Sequence, residues 1–179
     1  NTILFEYYER IKDMPGATEV RAKMVNDSIE YLDNLTAESG SSPELQREVA
    51  LAYRKLADIQ GAVGDANLGE TSAALVSYKK ALVIQEKVAA AFPENLEDRR
   101  LVGNLMVDVA QQHEFTGDAS ERLNYAESAA DFFRKLQSEF PAETKPRSDF
   151  ARALWTVAAA VRSNGDLDTA IAKYSEAAA

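Results

Sequence analysis

Few residues in this sequence have the side chains and the spacing that catalysis requires. His113 is the only histidine, and it lies on a predicted helix four residues after Val109, at a position that usually packs. No nucleophile stands beside it in the sequence, so a packed histidine is favoured over a general base. A metal site through His113 and Glu114 is also disfavoured, because adjacent helical residues point in different directions. We therefore expect no catalytic residue, no metal site and no bound cofactor.

The glycines at positions 61, 64 and 69 are the nearest approach to a phosphate-binding loop. Such a loop follows a strand and continues into Lys-Ser or Lys-Thr, and neither feature is present here. A turn between two helices is the better interpretation. The sequence also contains no cysteine, which excludes disulfides, thiolate zinc sites and cysteine nucleophiles.

The composition indicates a soluble, ordered protein that favours helices. Of the 179 residues, 46% are hydrophobic and 27% are charged. The net charge of −9 argues against nucleic-acid binding, which needs a basic face to neutralise phosphate. The longest apolar runs, such as residues 88–92, are far shorter than the roughly 18 residues that span a bilayer. We expect this fragment neither to bind nucleic acid nor to insert into a membrane.

Apolar residues recur at helical spacing along the chain, and no segment shows the alternation of a half-buried strand. Five of the helices are predicted at about 1–13, 44–60, 71–91, 95–117 and 118–140. A further helix ends at about 38, another begins at 146, and the last begins after 166. Asn95 and Asp118 are predicted N-caps, and Pro93, Gly117 and Pro141 end helices. The sequence predicts an all-α protein of about eight helices.

An internal repeat of 48 residues runs through the chain. Gly117 recurs as Gly165, and Pro93 recurs as Pro141. Two helices per repeat are typical of α-solenoids, in which each hairpin buries its apolar face against its neighbours. The sequence therefore predicts one domain over residues 1–179, built from four hairpins at about 1–38, 43–91, 95–140 and 146–179. An insertion at 66–70 distinguishes the second hairpin from the later ones.

The packing residues resemble those of a tetratricopeptide repeat. Two hairpins follow its pattern: Tyr53-x-x-Leu56-Ala57 with Ala74-x-x-x-Tyr78-x-x-Ala81, and Leu154-x-x-Val157-Ala158 with Ala170-x-x-x-Tyr174-x-x-Ala177. The usual period is about 34 residues, and both helices are longer here. The third hairpin departs from the pattern, with Arg122 and Ala126 where a small and an aromatic residue are expected. The resemblance implies an α-α superhelix of stacked antiparallel hairpins that binds proteins or peptides.

Residues 1 to about 90 show a narrower resemblance, to the repeat region that follows the membrane anchor in some bacterial transmembrane serine/threonine protein kinases. It is carried by the segments NTILFEYYERIKDMPGATEVRAKMV, IEYLDNLTAESGSSPELQREVALAYRKLADIQG and ANLGETSAALVSYKKAL. It implies a sensory or scaffolding region of a kinase. The motifs of the catalytic domain itself are missing from this chain, so we expect a kinase parent but no enzyme activity in the chain.

In a tetratricopeptide superhelix the first helix of each hairpin lines the concave side, so the resemblance implies a binding face there. Its expected residues are Arg54, Asp58, Asn104, Val107, Gln111, Glu114, Arg152, Trp155 and Arg162. Trp155, the only tryptophan, is open to two interpretations: an anchor for a bound peptide, or a packing residue against the next hairpin. Binding of a C-terminal carboxylate is not predicted, because Asp58 and Asp108 would repel it.

The sequence thus predicts a non-catalytic scaffold that binds a protein or peptide. The alternative is a structural spacer or self-association unit, which would form a homo-oligomer. The chain starts and stops within helical patterns, so we expect it to be a fragment of a longer protein. Its expected location is either the extracytoplasmic region of a membrane-anchored kinase or the cytoplasm.

Overall fold

The computed structural model describes residues 8, 10, 14, 16–38, 42–61 and 67–178. Their regular secondary structure is entirely helical, as predicted. The helices are α1 (Thr18–Glu38), α2 (Pro43–Gly61), α3 (Thr71–Ala91), α4 (Leu96–Thr116), α5 (Ala119–Glu139), α6 (Thr144–Ser163) and α7 (Leu167–Ala178). Within each unit, neighbouring helices pack against one another, as in an α-α stack of helical hairpins. The helix predicted over residues 1–13 lies largely outside the described residues.

The chain divides into two compact units, Asn1–Ile84 and Gln85–Ala179, with the boundary inside α3. The prediction of one repeat domain over residues 1–179 stays a prediction. The third and fourth predicted hairpins, at 95–140 and 146–179, correspond to α4 with α5 and α6 with α7. Helix α6 begins at Thr144, two residues before the predicted start at Pro146.

In the first unit, a tyrosine on one helix bonds to an aspartate on the helix before it. Tyr53 Oη donates to Asp33 Oδ1 and Tyr78 Oη donates to Asp58 Oδ1, each over 2.6 Å. Lys80 Nζ also lies 2.5 Å from Asp33 Oδ1. Burial alone would raise the pKa of Asp33, but the hydrogen bonds from Lys80 and Tyr53 lower it below 3.8. These bonds join α1 to α2 and α2 to α3 at fixed heights along their axes.

The described part of the insertion, residues 67–70, folds back on the end of α2. The backbone N–H of Leu68 donates to Ile59 O over 3.0 Å, and that of Glu70 donates to Gln60 O over 2.8 Å. Gly69 adopts a positive φ of 75°, which favours glycine. These residues therefore satisfy carbonyls at the last turn of α2, where the helix leaves them unpaired.

In the second unit, local capping fixes the helix ends. The side chain of Asn95 accepts from the backbone N–H of Asp98 at 3.1 Å, and Asp118 accepts from that of Glu121 at 3.0 Å. Gly117 ends α4 in the left-handed conformation, with φ 80°. The predicted caps at Asn95, Gly117 and Asp118 are confirmed.

The core of the second unit is a buried cluster shared by α4, α5 and α6. Phe133 of α5 lies at its centre, fully buried, against Gly103 of α4. A β-carbon at Gly103 would lie only 2.5 Å from Phe133 Cζ, so the two helices approach as closely as they do because residue 103 has no side chain. This contact therefore fixes how closely α4 and α5 pack.

Candidate functional site

The nine predicted binding residues fall in both units. Arg54 and Asp58 lie half-buried on α2, in the first unit. The carboxylate of Asp58 accepts a hydrogen bond from the hydroxyl of Tyr78, so it joins α2 to α3. The other seven residues lie on α4 and α6 in the second unit.

The position of Val107 requires a correction. Its side chain is 0% exposed and belongs to the same buried cluster as Leu154 and Val157 of α6. It was expected on the binding face because it lies three residues after Asn104 on α4. Helix α6 covers that stripe, so Val107 is a core residue and does not contact a ligand.

Asn104 and Arg152 are brought together. The Arg152 guanidinium donates a hydrogen bond to Asn104 Oδ1, and Asp149 Oδ1 lies 3.8 Å from Arg152 Nη2. The Arg152 side chain nevertheless keeps 40% of its surface exposed. A cation held in place by two neighbours and still open to solvent can receive a carboxylate.

Gln111, Glu114 and Arg162 lie further along the two helices. Gln111 is half-buried, while Glu114 and Arg162 are exposed. Glu114 Oε2 accepts from the buried Arg122 at 2.9 Å, and Ser163 Oγ accepts from the same guanidinium at 2.9 Å. Glu114 thus neutralises a buried cation of α5, which is a structural role that the sequence pattern did not predict.

Trp155 is 55% exposed, and its indole ring packs edge-on against Tyr174 of α7, with the ring centroids 5.9 Å apart and the planes at 62°. Leu167 and Ile171 are exposed on the same stripe of α7 as Tyr174, because positions 167, 171 and 174 share one side of a helix. We call Trp155, Leu167, Ile171 and Tyr174 the α6/α7 face.

Sequence reasoning missed Leu167, Ile171 and Lys145. Lys145 Nζ lies 2.8 Å from Glu97 Oε1, across the α4–α6 boundary. The available signals were the helical spacing of 167, 171 and 174, and the opposite charges at positions 97 and 145, which are one 48-residue step apart.

His113 is buried and stacks on Tyr125, with centroids 5.9 Å apart and planes at 18°. Thr116 Oγ1 lies 3.2 Å from its Nδ1. This environment agrees with the interpretation of His113 as a packed residue. Burial also raises the pKa of Tyr125, with the carboxylates of Glu121 and Glu86 adding to the shift.

A surface cleft of about 360 Å³ lies between the end of α3, α4 and α5. Its lining includes the apolar residues Ala90, Val102 and Phe132, together with Glu86 and Arg99. Arg99 is already engaged, because it pairs with Glu139 and lies over the ring of Phe140. The cleft therefore offers apolar surface and little polar chemistry.

Metal sites and membrane spans are absent from the residues that the structure describes, which are 8, 10, 14, 16–38, 42–61 and 67–178. Within those ranges no three His, Asp or Glu side chains are grouped so that they could hold a metal ion. None of the described helices is both long enough and apolar enough to cross a membrane. No protein-family model matches the chain, and no curated protein matches it in sequence.

Proposed function

We propose that this chain is a non-catalytic docking module that binds a protein through the α6/α7 face. The observation that carries the proposal is the exposure of Trp155. Val107 occupies the same place one 48-residue repeat earlier and is fully buried in a cluster that includes Leu154 and Val157 of α6, whereas Trp155 is 55% exposed. A large aromatic side chain left open where the repeat elsewhere buries its counterpart is typical of an interface anchor.

The contact with Tyr174 holds the indole of Trp155 before a partner arrives, which lowers the entropy cost of binding. A tryptophan buries up to about 250 Å², so covering the exposed half removes about 125 Å² from water. At about 25 cal/mol per Å² this is worth about 3 kcal/mol at most. Since binding also orders the partner, we expect Trp155 to contribute about 1–3 kcal/mol.

The test places a photo-crosslinking amino acid at exposed position 171 in the cells that make the protein, and identifies the crosslinked partner by mass spectrometry. The purified partner is then titrated against variants. Trp155→Ala should weaken binding by about 1–3 kcal/mol and leave the helical circular dichroism unchanged. Phe115→Ala is the matched control, because Phe115 is 56% exposed but lies on α4. Equal affinity of the Trp155→Ala variant and the unaltered protein would remove Trp155 from the site.

Self-association through the same face is a second candidate function, favoured by the exposure of Leu167 and Ile171. A C2 dimer would bury this stripe against its copy. Sedimentation at several concentrations separates the two functions. Only self-association gives a species of twice the monomer mass, and Ile171→Glu should dissociate that species. A monomer at all concentrations would exclude the dimer.

The tetratricopeptide pattern and the kinase resemblance of residues 1–90 suggest the setting of this module. We place it in the non-catalytic region of a bacterial signalling serine/threonine kinase, where it recruits a protein. The sequence upstream of Asn1 tests this assignment: a spanning helix preceded by a kinase domain is expected, and its lack in the full protein would refute the assignment.

A further inference from the structure

Two polar contacts between α4 and α6 run in the same direction, whereas a third, from Arg100 Nε of α4 to Asp149 Oδ2 of α6, runs the opposite way and does not join repeat-equivalent positions. Lys145 Nζ of α6 donates to Glu97 Oε1 of α4 over 2.8 Å, and Arg152 of α6 donates to Asn104 Oδ1 of α4. Both pairs join residues 48 positions apart, so each joins equivalent positions of successive repeats. In both, the earlier helix supplies the acceptor and the later helix supplies the cation.

Helix α6 presents cations at the two positions where α4 presents acceptors. Lys145 and Arg152 keep 59% and 40% of their side-chain surface exposed, so both retain room for another acceptor. They are seven residues apart, which is two turns and about 10 Å along the helix, on one side of it. A helix that covered α6 as α6 covers α4 would meet these two cations.

The apolar surfaces repeat in the same way. Val107 and Ala126 of the third hairpin are fully buried in one cluster with Leu154 and Val157 of α6. Their equivalents one repeat later are Trp155 and Tyr174, on the α6/α7 face. In this chain, α6 covers α4 and α5 with one apolar stripe. A single amphipathic helix therefore fits a face of this kind.

We propose that the partner of the α6/α7 face is an amphipathic helix that carries two carboxylates seven residues apart. Its apolar stripe covers Trp155 and Ile171, and its carboxylates pair with Lys145 and Arg152. This inference rests on the proposed docking function and adds the chemistry of the partner. The net charge of −9 would repel an acidic peptide from most of the protein, so the two cations also set where the helix lands.

The probe is a fluorescently labelled peptide with the sequence of residues 144–163, which provides the apolar stripe of α6. Unaltered, it brings lysine 145 and arginine 152 against the same cations of the protein. A K145E/R152E peptide replaces that repulsion by attraction, and an R147E/R162E peptide carries the same net charge at other positions. Because exposed ion pairs are individually weak, we expect the K145E/R152E peptide to bind about five- to tenfold more tightly than either control.

Charge reversal on the protein supplies the reciprocal measurement. The K145E/R152E protein should lose the preference and bind the unaltered peptide best. If that variant is poorly folded by circular dichroism, K145E alone serves, because Lys145 is well exposed and should shift the preference about two- to threefold.

The outcomes separate this inference from the docking function. Three peptides that bind equally, with all binding lost in the W155A protein, would refute the acidic partner and leave docking at this face intact. Failure of all three peptides to bind would refute the helical partner, while the crosslinking experiment still decides the docking function. A dimer whose formation blocks the K145E/R152E peptide would assign the face to a second copy and overturn the inference.

Discussion

Replacing Gly103 by alanine should destabilise the second unit through a single steric contact. The new methyl group would lie 2.5, 2.7 and 2.9 Å from Cζ, Cε2 and Cε1 of Phe133, well inside the ordinary separation of about 3.5–4.0 Å. The ring is fully buried, so it has nowhere to move without displacing its neighbours. Overpacking of this kind costs about 1–3 kcal/mol or more. A separation of 2.5 Å places this contact in the upper part of that range, about 2–3 kcal/mol. Alanine gains about 1 kcal/mol of helix propensity over glycine, so we expect a net loss of about 1–2 kcal/mol.

Urea denaturation measures this loss, with the fluorescence of Trp155 reporting on the second unit and circular dichroism on the whole chain. A loss of about 1–2 kcal/mol corresponds to a fall of roughly 2–8 °C in melting temperature for a chain of this size. Agreement between the two signals would show whether the units unfold together, which a two-state interpretation requires.

The double variant Gly103→Ala/Phe133→Leu tests the mechanism. Leucine removes the ring atoms that the new methyl group meets, so the double variant should be about 1–2 kcal/mol more stable than the sum of the single changes predicts. Gly117→Ala is the matched control: no atom lies within 4 Å of its added methyl group, and only its φ of 80° makes alanine unfavourable. Its effect should add to that of Phe133→Leu. If the destabilisations caused by Gly103→Ala and Phe133→Leu also add to within about 0.5 kcal/mol in their double variant, the steric explanation is refuted.

Two further predictions concern polar contacts. Asp149→Ala should destabilise the second unit by about 2–4 kcal/mol in urea denaturation. The reason is that the largely buried Arg100, whose Nε lies 2.6 Å from Asp149 Oδ2, would keep only the exposed Glu97 as a partner. The double variant Arg100→Met/Asp149→Leu removes both charges and should be closer in stability to the unaltered protein, so a double variant no more stable than Asp149→Ala would contradict this explanation. Burial, and then the hydrogen bond to Asp33, raise the pKa of Tyr53 well above its ordinary 10.0. The unfolded chain therefore loses this proton first, so the free energy of unfolding should fall as pH rises above about 10, and less steeply in Tyr53→Phe; equal slopes would refute the assignment.

The helices were predictable because their ends are decided locally. Asn95 caps the N–H of a residue three positions on, and Gly117 supplies a left-handed residue at the end of α4. Both effects act within one turn of helix, so a single sequence contains them. The start of α6 was predicted two residues too late, because no side chain caps the N-terminus of this helix and the sequence therefore carries no strong local signal there.

The binding residues were less predictable because exposure depends on distant parts of the chain. Val107 and Trp155 occupy equivalent positions on equivalent helices, yet only Val107 is covered, by residues more than 40 positions later. The contact of Gly103 with Phe133 likewise joins two helices. A glycine inside a helical pattern indicates a close approach, but not which residue approaches it.

The sizes of the repeat-equivalent residues bear on what covers the α6/α7 face. Tryptophan stands in the place of Val107, and tyrosine in the place of Ala126, so the face is bulkier than the one that α6 covers. An element held at the distance of α6 from α4 would overlap these rings, because a packed interior tolerates little added volume. A hairpin continuing the stack has its position fixed by the short connection and by its own second helix. The distance and rotation of a separate helix are not fixed by a covalent connection. Such a helix binds when its apolar stripe lies on the aromatic residues and its two carboxylates lie beside the two cations. The enlarged aromatic residues therefore favour a separate helix over one more copy of the repeat, and the exposed cations of α6 define where the carboxylates of that helix bind.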